Sequence, residues 1–189
     1  METTLQTECG QLLDLLCENI ELKDFSVDRW TLIVKYKTAF YSFYLPVALG
    51  MTLSGVTDRS AYDSAREILL IMGVYFQAQD DYLDCYGTPE QIGKIGTDIQ
   101  DNKCGWLVVQ ALKRCSAEQR KIIEENYGKK DAECEKKIKE LYVALDMEAV
   151  YLKYEEESYA ELKGIMESQT ALPSELFGAM LAKIYKRQK

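Results

Sequence analysis

One long apolar run that ends in a cluster of carboxylates limits what this chain can fold into. The run covers residues 68–76, which are too uniformly apolar for a half-buried strand and fit a buried helix. Asp80, Asp81 and Asp84 follow it, so Asp80 and Asp84 lie one helical turn apart on the same face. Like charges at this spacing destabilise a helix. The pattern therefore predicts a buried helix with an acidic end that needs compensation.

The acidic end has two interpretations. Mg²⁺ binds one or two carboxylates and completes its octahedron with water and substrate phosphate oxygens, and Mn²⁺ accepts similar oxygen ligands. These three carboxylates are therefore candidate metal ligands. The alternative is a solvated acidic helix end, because the motif is short and unspecific when taken alone.

The surrounding lysines favour the first interpretation. Lys37, Lys94 and Lys103 stand apart from the carboxylates in sequence, an arrangement that suits cations bridging to a polyanion while lysines neutralise the remaining charge. The net charge of −8 and the sequence pI near 4.8 disfavour a nucleic-acid backbone as that polyanion. A diphosphate ester is the better match.

Cysteine and histidine usage narrows the chemistry further. The chain has 6 cysteines and 0 histidines. Without histidine there is no Ser-His-Asp or Cys-His nucleophilic catalysis, and a Cys/His zinc site is disfavoured. We expect the cysteines to be reduced thiols. The acidic residues near Met1 are unlike a transit peptide, so we expect a cytoplasmic protein. No apolar run reaches the roughly 18 residues that a membrane span needs.

Helical periodicity predicts one all-α domain over residues 1–189. The predicted helices are 2–17, 28–50, 63–84, 98–114, 117–126, 132–145, 148–166 and 175–185. The second should be interrupted near Lys37 and again at Pro46, where proline removes a backbone donor. Ser116 opens a capping-box pattern. The run 151–159 has the composition of a solvated helix face whose tyrosines cover the edge of the core.

An ordered set of segments resembles the farnesyl diphosphate synthases of the polyprenyl synthetase family. The segments are 34–41, 77–84, 93–103 and 183–189, and the resemblance runs in register from Met1 to Lys189. It implies an all-helical bundle of the isoprenoid synthase type, truncated at the N-terminus. The family's first aspartate-rich motif and its arginine pair would precede Met1, so we expect the C-terminal part of a polyprenyl synthase domain.

The resemblance also implies roles for single residues. Asp80, Asp81 and Asp84 would hold Mg²⁺ at the allylic diphosphate, and Asp14 would join them. The implied catalytic residues are Asp80, Lys37 and Thr38. The predicted substrate-binding residues are Lys37, Thr38, Gln77, Lys94, Lys103, Gln11, Tyr41 and Arg187.

Ordinary structural roles stay open for several of these residues. An isolated lysine is commonly a solvated surface charge. Gln77 could close a contact between helices, and Tyr41 could be a core tyrosine. Arg187 could simply complement the macrodipole at a helix C-terminus.

The implied activity is head-to-tail condensation of dimethylallyl or geranyl diphosphate with isopentenyl diphosphate, giving farnesyl diphosphate, by a homodimer. A terpene cyclase would share the Asp-Asp-x-x-Asp motif, but its second metal motif does not appear after residue 84. The second alternative is a catalytically inactive truncated isoform that binds diphosphate or serves as a dimerisation partner. For these 189 residues alone, inactivity is the expectation.

Overall fold

The computed structural model describes residues 1–187 and confirms the all-α prediction. Within that range the helices are α1 (Glu2–Cys17), α2 (Val27–Val34), α3 (Leu45–Leu53), α4 (Arg59–Tyr86), α5 (Pro89–Ile92), α6 (Trp106–Arg114), α7 (Ala117–Asn126), α8 (Ala132–Ala144), α9 (Met147–Ser168) and α10 (Ser174–Ile184). The last two residues of the basic tail lie outside the described range.

The expected interruption of the second helix is a π-helical segment, Lys35–Tyr44, which joins α2 to α3 without a loop. π-Helical geometry is rare and is frequently found at functional sites. Pro46 lies at the start of α3, where its missing N–H costs least. The segment is therefore where helical geometry changes along the chain.

Two glycines allow neighbouring helices to approach the π-helical segment. A Cβ added to Gly10 of α1 would collide with the backbone of Lys37, and one added to Gly73 of α4 would collide with Ala39. Any side chain at either position would push the helices apart. The π-helical segment is therefore clamped between α1 and α4, and this contact positions the residues described below.

The prediction of a helix over 98–114 is wrong for its first half. The helix begins at Trp106, and the preceding residues form turns. Asn102 adopts a left-handed conformation with φ 52°, which no α-helix can include. Its side chain donates to the carbonyl oxygens of Glu18 (3.1 Å) and Ile20 (3.3 Å), so a long-range contact overrides the local helical pattern.

The interior consists of two apolar clusters, and α4 contributes to both. One surrounds Trp106 and includes Ala78 of α4, together with parts of α2, α6, α8 and α9. The other contains Ile68, Leu69 and Met72 of α4, with residues of α9 and α10. Because α4 packs against both clusters, its acidic end is fixed relative to the rest of the fold.

The interpretation of 151–159 as a solvated face is only partly correct. Glu155 is 3% exposed and Tyr151 is also 3% exposed, whereas Leu152 is 48% exposed. One face of this helix is therefore buried, and that face carries a carboxylate as well as a tyrosine.

None of the helices described in residues 1–187 is both long and apolar enough to cross a membrane.

Candidate functional site

A cavity of about 120 Å³ lies where α1, α2, the π-helical segment and α4 meet the loop before α6. Most of the residues predicted to bind substrate or metal reach it. Its lining includes Asp14, Trp30, Lys37, Gln77, Asp80, Asp81, Lys94, Asp98 and Lys103. These side chains come from five separate stretches of sequence, so the fold brings together what the chain keeps apart.

Asp14 lies between two lysines. Its Oδ2 accepts from the Nζ of Lys37 at 2.7 Å and from the Nζ of Lys103 at 3.1 Å. Lys103 also donates to Glu18 at 2.8 Å. Burial alone would lower the pKa of Lys103, but the hydrogen bonds and charges of Glu18 and Asp14 raise it. Lys103 therefore stays cationic beside the cavity.

The local sequence explains how Asp14 reaches Lys37. Gly10 lies one turn before Asp14 on the same face of α1, and the backbone of α1 touches the π-helical segment at Lys37 only because Gly10 has no side chain. Asp14 itself is 6% exposed. A carboxylate buried to this degree requires paired cations, and the two lysines supply them.

Asp81 is held by donors from three elements. Its Oδ2 accepts from Trp30 Nε1 at 2.8 Å and from the backbone N–H of Trp106 at 2.7 Å, and its Oδ1 accepts from Gln77 Nε2 at 3.1 Å. Burial raises the pKa of Asp81 to about 6. The charge of Asp80 also raises this pKa, whereas the three hydrogen bonds lower it. Both oxygens are occupied by protein donors.

Gln77 connects this carboxylate to the π-helical segment. Its Oε1 accepts from the Thr38 hydroxyl at 3.0 Å, and its Nε2 lies 3.5 Å from an oxygen of Asp80. The hydrogen bond between Thr38 and Gln77 closes a contact between helices, which is the structural role left open for Gln77. Thr38 is 8% exposed and is not among the residues that line the cavity, although its partner Gln77 is.

Asp84 faces the loop before α6. Its Oδ1 pairs with Lys94 at 3.0 Å, and its Oδ2 accepts from the backbone N–H of Asp98 at 3.0 Å. Burial, with the charges of Asp81 and Asp84, raises the pKa of Asp98 to about 8. The carboxylates of Asp81, Asp84 and Asp98 thus repel one another around a small space, which a divalent cation nearby would relieve.

Asp80 is the most accessible carboxylate of the motif, with 43% of its side chain exposed. Its Oδ1 lies 3.5 Å from Nη2 of Arg187, which arrives from beyond the end of α10. Arg187 therefore lies beside Asp80 without lining the cavity, and its substrate-binding role stays a prediction.

Gln11 and Tyr41 do not line this cavity. They lie on a separate groove of about 600 Å³ between α1 and the π-helical segment, together with Leu12, Leu15 and Leu45. Tyr41 is 49% exposed, so in the described part of the chain it is not a core tyrosine. Their predicted substrate contacts would have to be made from this groove.

Three residues of the site were not predicted. Trp30 binds Asp81, Asp98 adds a fourth carboxylate, and Gln79 connects to Arg187. Asp98 could have been found, because it lies between Lys94 and Lys103 in the segment already singled out. Trp30 and Gln79 carry no comparable local signal.

The sequence matches a known protein family over most of its length. The family model described as polyprenyl synthetase matches residues 1–145, which contain every residue that lines the cavity. The chain belongs to the polyprenyl synthetase family. Farnesyl pyrophosphate synthase of Gallus gallus is 53% identical over 193 residues, and that of Homo sapiens is 51% identical over 193 residues.

Solved structures of this polyprenyl synthetase family have the same fold. The chain matches T. brucei farnesyl diphosphate synthase complexed with risedronate at a TM-score of 0.90 and 32% identity, and the complex with minodronate at 0.91 and 33%. All of this chain is covered in each case, against 57% and 56% of those chains. The chain likewise spans 53% of the Gallus gallus protein and 46% of the human one, about half of their length.

The carboxylates of the site differ in how well they suit a metal ion. Among residues 1–187 no three His, Cys, Asp or Glu side chains are already grouped to hold one. Mg²⁺ in phosphate sites needs only one or two carboxylates, however. Asp80, with 43% of its side chain exposed and one basic partner, fits that requirement best. Asp84 lies one turn away, and it would have to exchange Lys94 or the N–H of Asp98 for the ion. Asp81 would have to give up its three donors, and Asp14 its two lysines.

Proposed function

We propose that this chain supplies the diphosphate-binding aspartate helix of a prenyltransferase. The reaction is condensation of dimethylallyl or geranyl diphosphate with isopentenyl diphosphate to give farnesyl diphosphate. The observation that carries the proposal is the convergence of Lys37, Lys94 and Lys103 with Asp80 around one cavity, next to which Lys94 also pairs with Asp84. The sequence identity of 53% and 51% with two farnesyl pyrophosphate synthases, over the whole of this chain, supports the same reaction.

The lysines would bind the allylic diphosphate. Lys37 and Lys103 are directed at the cavity by Asp14, which holds both ammonium groups within 3.1 Å of one oxygen. Their positive charge is fixed before substrate arrives, so no reorganisation is needed when negative charge builds on the leaving group. Lys94, with 55% of its side chain exposed, can reach the opposite edge.

Asp80 and Asp84 would hold Mg²⁺, or Mn²⁺, between the acidic helix end and the diphosphate. A bound divalent cation stabilises the charge that develops on a departing phosphate oxygen. Asp81 would keep Gln77 and the start of α6 in place, and Thr38 would be oriented through Gln77. Asp14 would act by orienting the lysines, as well as by the metal contact predicted for it.

A non-catalytic role is the second candidate, and one observation favours it. Helix α1 exposes Leu5 (62%), Leu12 (57%) and Leu16 (53%), and exposed apolar side chains grouped in this way are typical of contact sites for a partner. A chain that spans about half the length of its relatives could bind diphosphate, or dimerise through α1, without catalysing the reaction. We propose a homodimer in the cytoplasm for either function.

One experiment separates the two functions. Residues 1–189 are incubated with Mg²⁺, geranyl diphosphate and labelled isopentenyl diphosphate, and binding of inorganic diphosphate is measured by calorimetry on the same preparation. Labelled farnesyl diphosphate supports the prenyltransferase. Magnesium-dependent diphosphate binding without product supports the non-catalytic role. Neither binding nor product contradicts both.

A further inference from the structure

A buried polar relay connects the interior of α9 to the acidic end of α4. Glu155 of α9 is 3% exposed, and its Oε1 accepts from the hydroxyls of Tyr75 at 2.8 Å and Tyr151 at 3.0 Å. The same oxygen accepts from Nε2 of Gln79 at 3.2 Å. A carboxylate with this set of donors is fixed in one position, and it fixes the orientation of the Gln79 amide.

Gln79 passes that constraint to the C-terminal residues. It is 1% exposed, and its Nε2 also donates to the carbonyl oxygen of Ile184 at 3.0 Å, which satisfies a carbonyl in the last turn of α10. Its Oε1 accepts from Nε of Arg187 at 2.9 Å. Because its amide donates to an anion, this oxygen is a stronger acceptor for the guanidinium.

Arg187 is held in place on two further sides. Its guanidinium carbon lies 4.2 Å from the centre of the Phe76 ring, and its Nη2 lies 3.5 Å from Oδ1 of Asp80. Only 21% of the side chain is exposed. The arginine therefore stands beside the most accessible carboxylate of the motif.

We propose that Gln79 and Glu155 are positioning residues that hold Arg187 against Asp80 as a displaceable counter-ion. The guanidinium balances the carboxylate in the absence of metal, and it must give way when a divalent cation binds there. This inference rests on the proposed function, because it takes Asp80 as a metal ligand. The relay itself is independent of that assignment.

The test is a titration of the full chain with Mg²⁺ alone. Removing the competing cation by Arg187→Gln should tighten Mg²⁺ binding by about 1.5- to 5-fold, the range expected for a partly exposed ion pair. Gln79→Met, which releases the arginine, should act in the same direction. The double variant should bind no tighter than Arg187→Gln, because both changes remove the same contact.

Lys186→Gln is the matched control. It removes the same charge one residue earlier, but Lys186 pairs with Glu156 at 2.9 Å rather than with Asp80. Its Mg²⁺ affinity should equal that of the unmodified chain. Equal gains in Lys186→Gln and Arg187→Gln, or no gain in Arg187→Gln, would overturn the proposal.

A second readout needs no metal. The Nε–H signal of Arg187 in a ¹⁵N correlation spectrum, assigned by its loss in Arg187→Gln, should exchange slowly with water and exchange fast in Gln79→Met. If Gln79→Met does not fold, Glu155→Gln replaces it and should shift the same signal. An unchanged signal overturns the relay. A shifted signal in a chain that binds no Mg²⁺ keeps the relay, rejects the counter-ion role, and counts against the proposed function.

Discussion

Lys37 and Lys103 donate to the same carboxylate oxygen, Oδ2 of Asp14, at 2.7 and 3.1 Å. One buried anion thus sets the position of two cations that enter the cavity from different elements. Neither lysine would be held in that direction by its own helix or loop. The arrangement of the site therefore depends on α1, although α1 carries no residue of the aspartate motif.

Asp14→Asn should destabilise the chain and disorder both lysines. The change weakens two charge-assisted hydrogen bonds, each of which contributes on the order of 1.5–3 kcal/mol. Urea unfolding should show a loss of about 2–3 kcal/mol. Glu8→Gln on the exposed side of α1 is the control, and it should unfold within about 0.5 kcal/mol of the unmodified chain.

Gly73→Ala should separate α4 from the π-helical segment. The new methyl group would overlap Ala39, so we expect a loss of about 1–3 kcal/mol from overpacking. Gly164→Ala is the control, because Gly164 lies in α9 with nothing within 4 Å of the added carbon. That change should stabilise the helix by about 0.5–1 kcal/mol. Losses of equal size in both variants would contradict the clamped arrangement.

Asp98 should make the metal-free chain less stable as the pH rises. Its folded pKa of about 8 lies above the ordinary value of 3.8, so the folded state prefers the protonated acid. This stabilising contribution is complete below about pH 4 and is lost as the pH rises towards 8. Asp98→Asn should therefore be increasingly more stable than the unmodified chain across that window, measured by urea unfolding in chelator.

Asp101→Asn provides a control of opposite sign in the same loop. The hydrogen bond from Thr97 lowers the pKa of Asp101, and the Lys130 charge adds to this, so its ionised form stabilises the fold above pH 4. The amide variant should be less stable than the unmodified chain at neutral pH. A gain in stability for both variants would mean that net charge, rather than local burial, decides the result.

The features that the sequence predicts correctly are those that depend on residues close together in the chain. The one-turn spacing of Asp80 and Asp84 and the capping box at Ser116 depend on residues a few positions apart, and the structure has both. The contacts of Asp14 join residues 23 and 89 positions apart, which no periodicity encodes. Their association was predicted only by resemblance to a family.

The two errors in the fold have the same origin. The helix predicted from residue 98 failed because Asn102 makes its contacts with the turn that follows α1 rather than along its own segment. The face predicted to be solvated at 151–159 hides Glu155, whose donors on α4 lie 76 and 80 positions away in the sequence. A charged residue in an amphipathic helix is read as exposed unless its distant partners are known.

Asp81 should differ from Asp80 in what it does. Asp81→Asn disturbs the contacts with Trp30, Trp106 and Gln77, so its main effect should be on thermal stability, with Mg²⁺ affinity reduced less than about tenfold. Asp80→Asn should leave the melting temperature almost unchanged, because its only salt bridge in the described residues is the 3.5 Å contact with Arg187. A larger loss of Mg²⁺ affinity in Asp81→Asn would make Asp81 the metal ligand.

Calorimetric titration of the chain with inorganic diphosphate, with and without Mg²⁺, tests directly whether the aspartates and lysines form one diphosphate site. If Asp80, Asp84 and the three lysines form one site, binding should require Mg²⁺ and should weaken at least tenfold in Asp80→Asn. Asp63→Asn, an exposed change in the first turns of the same helix, should bind like the unmodified chain. Diphosphate binding that is independent of Mg²⁺, or equally strong in Asp80→Asn, would contradict the account.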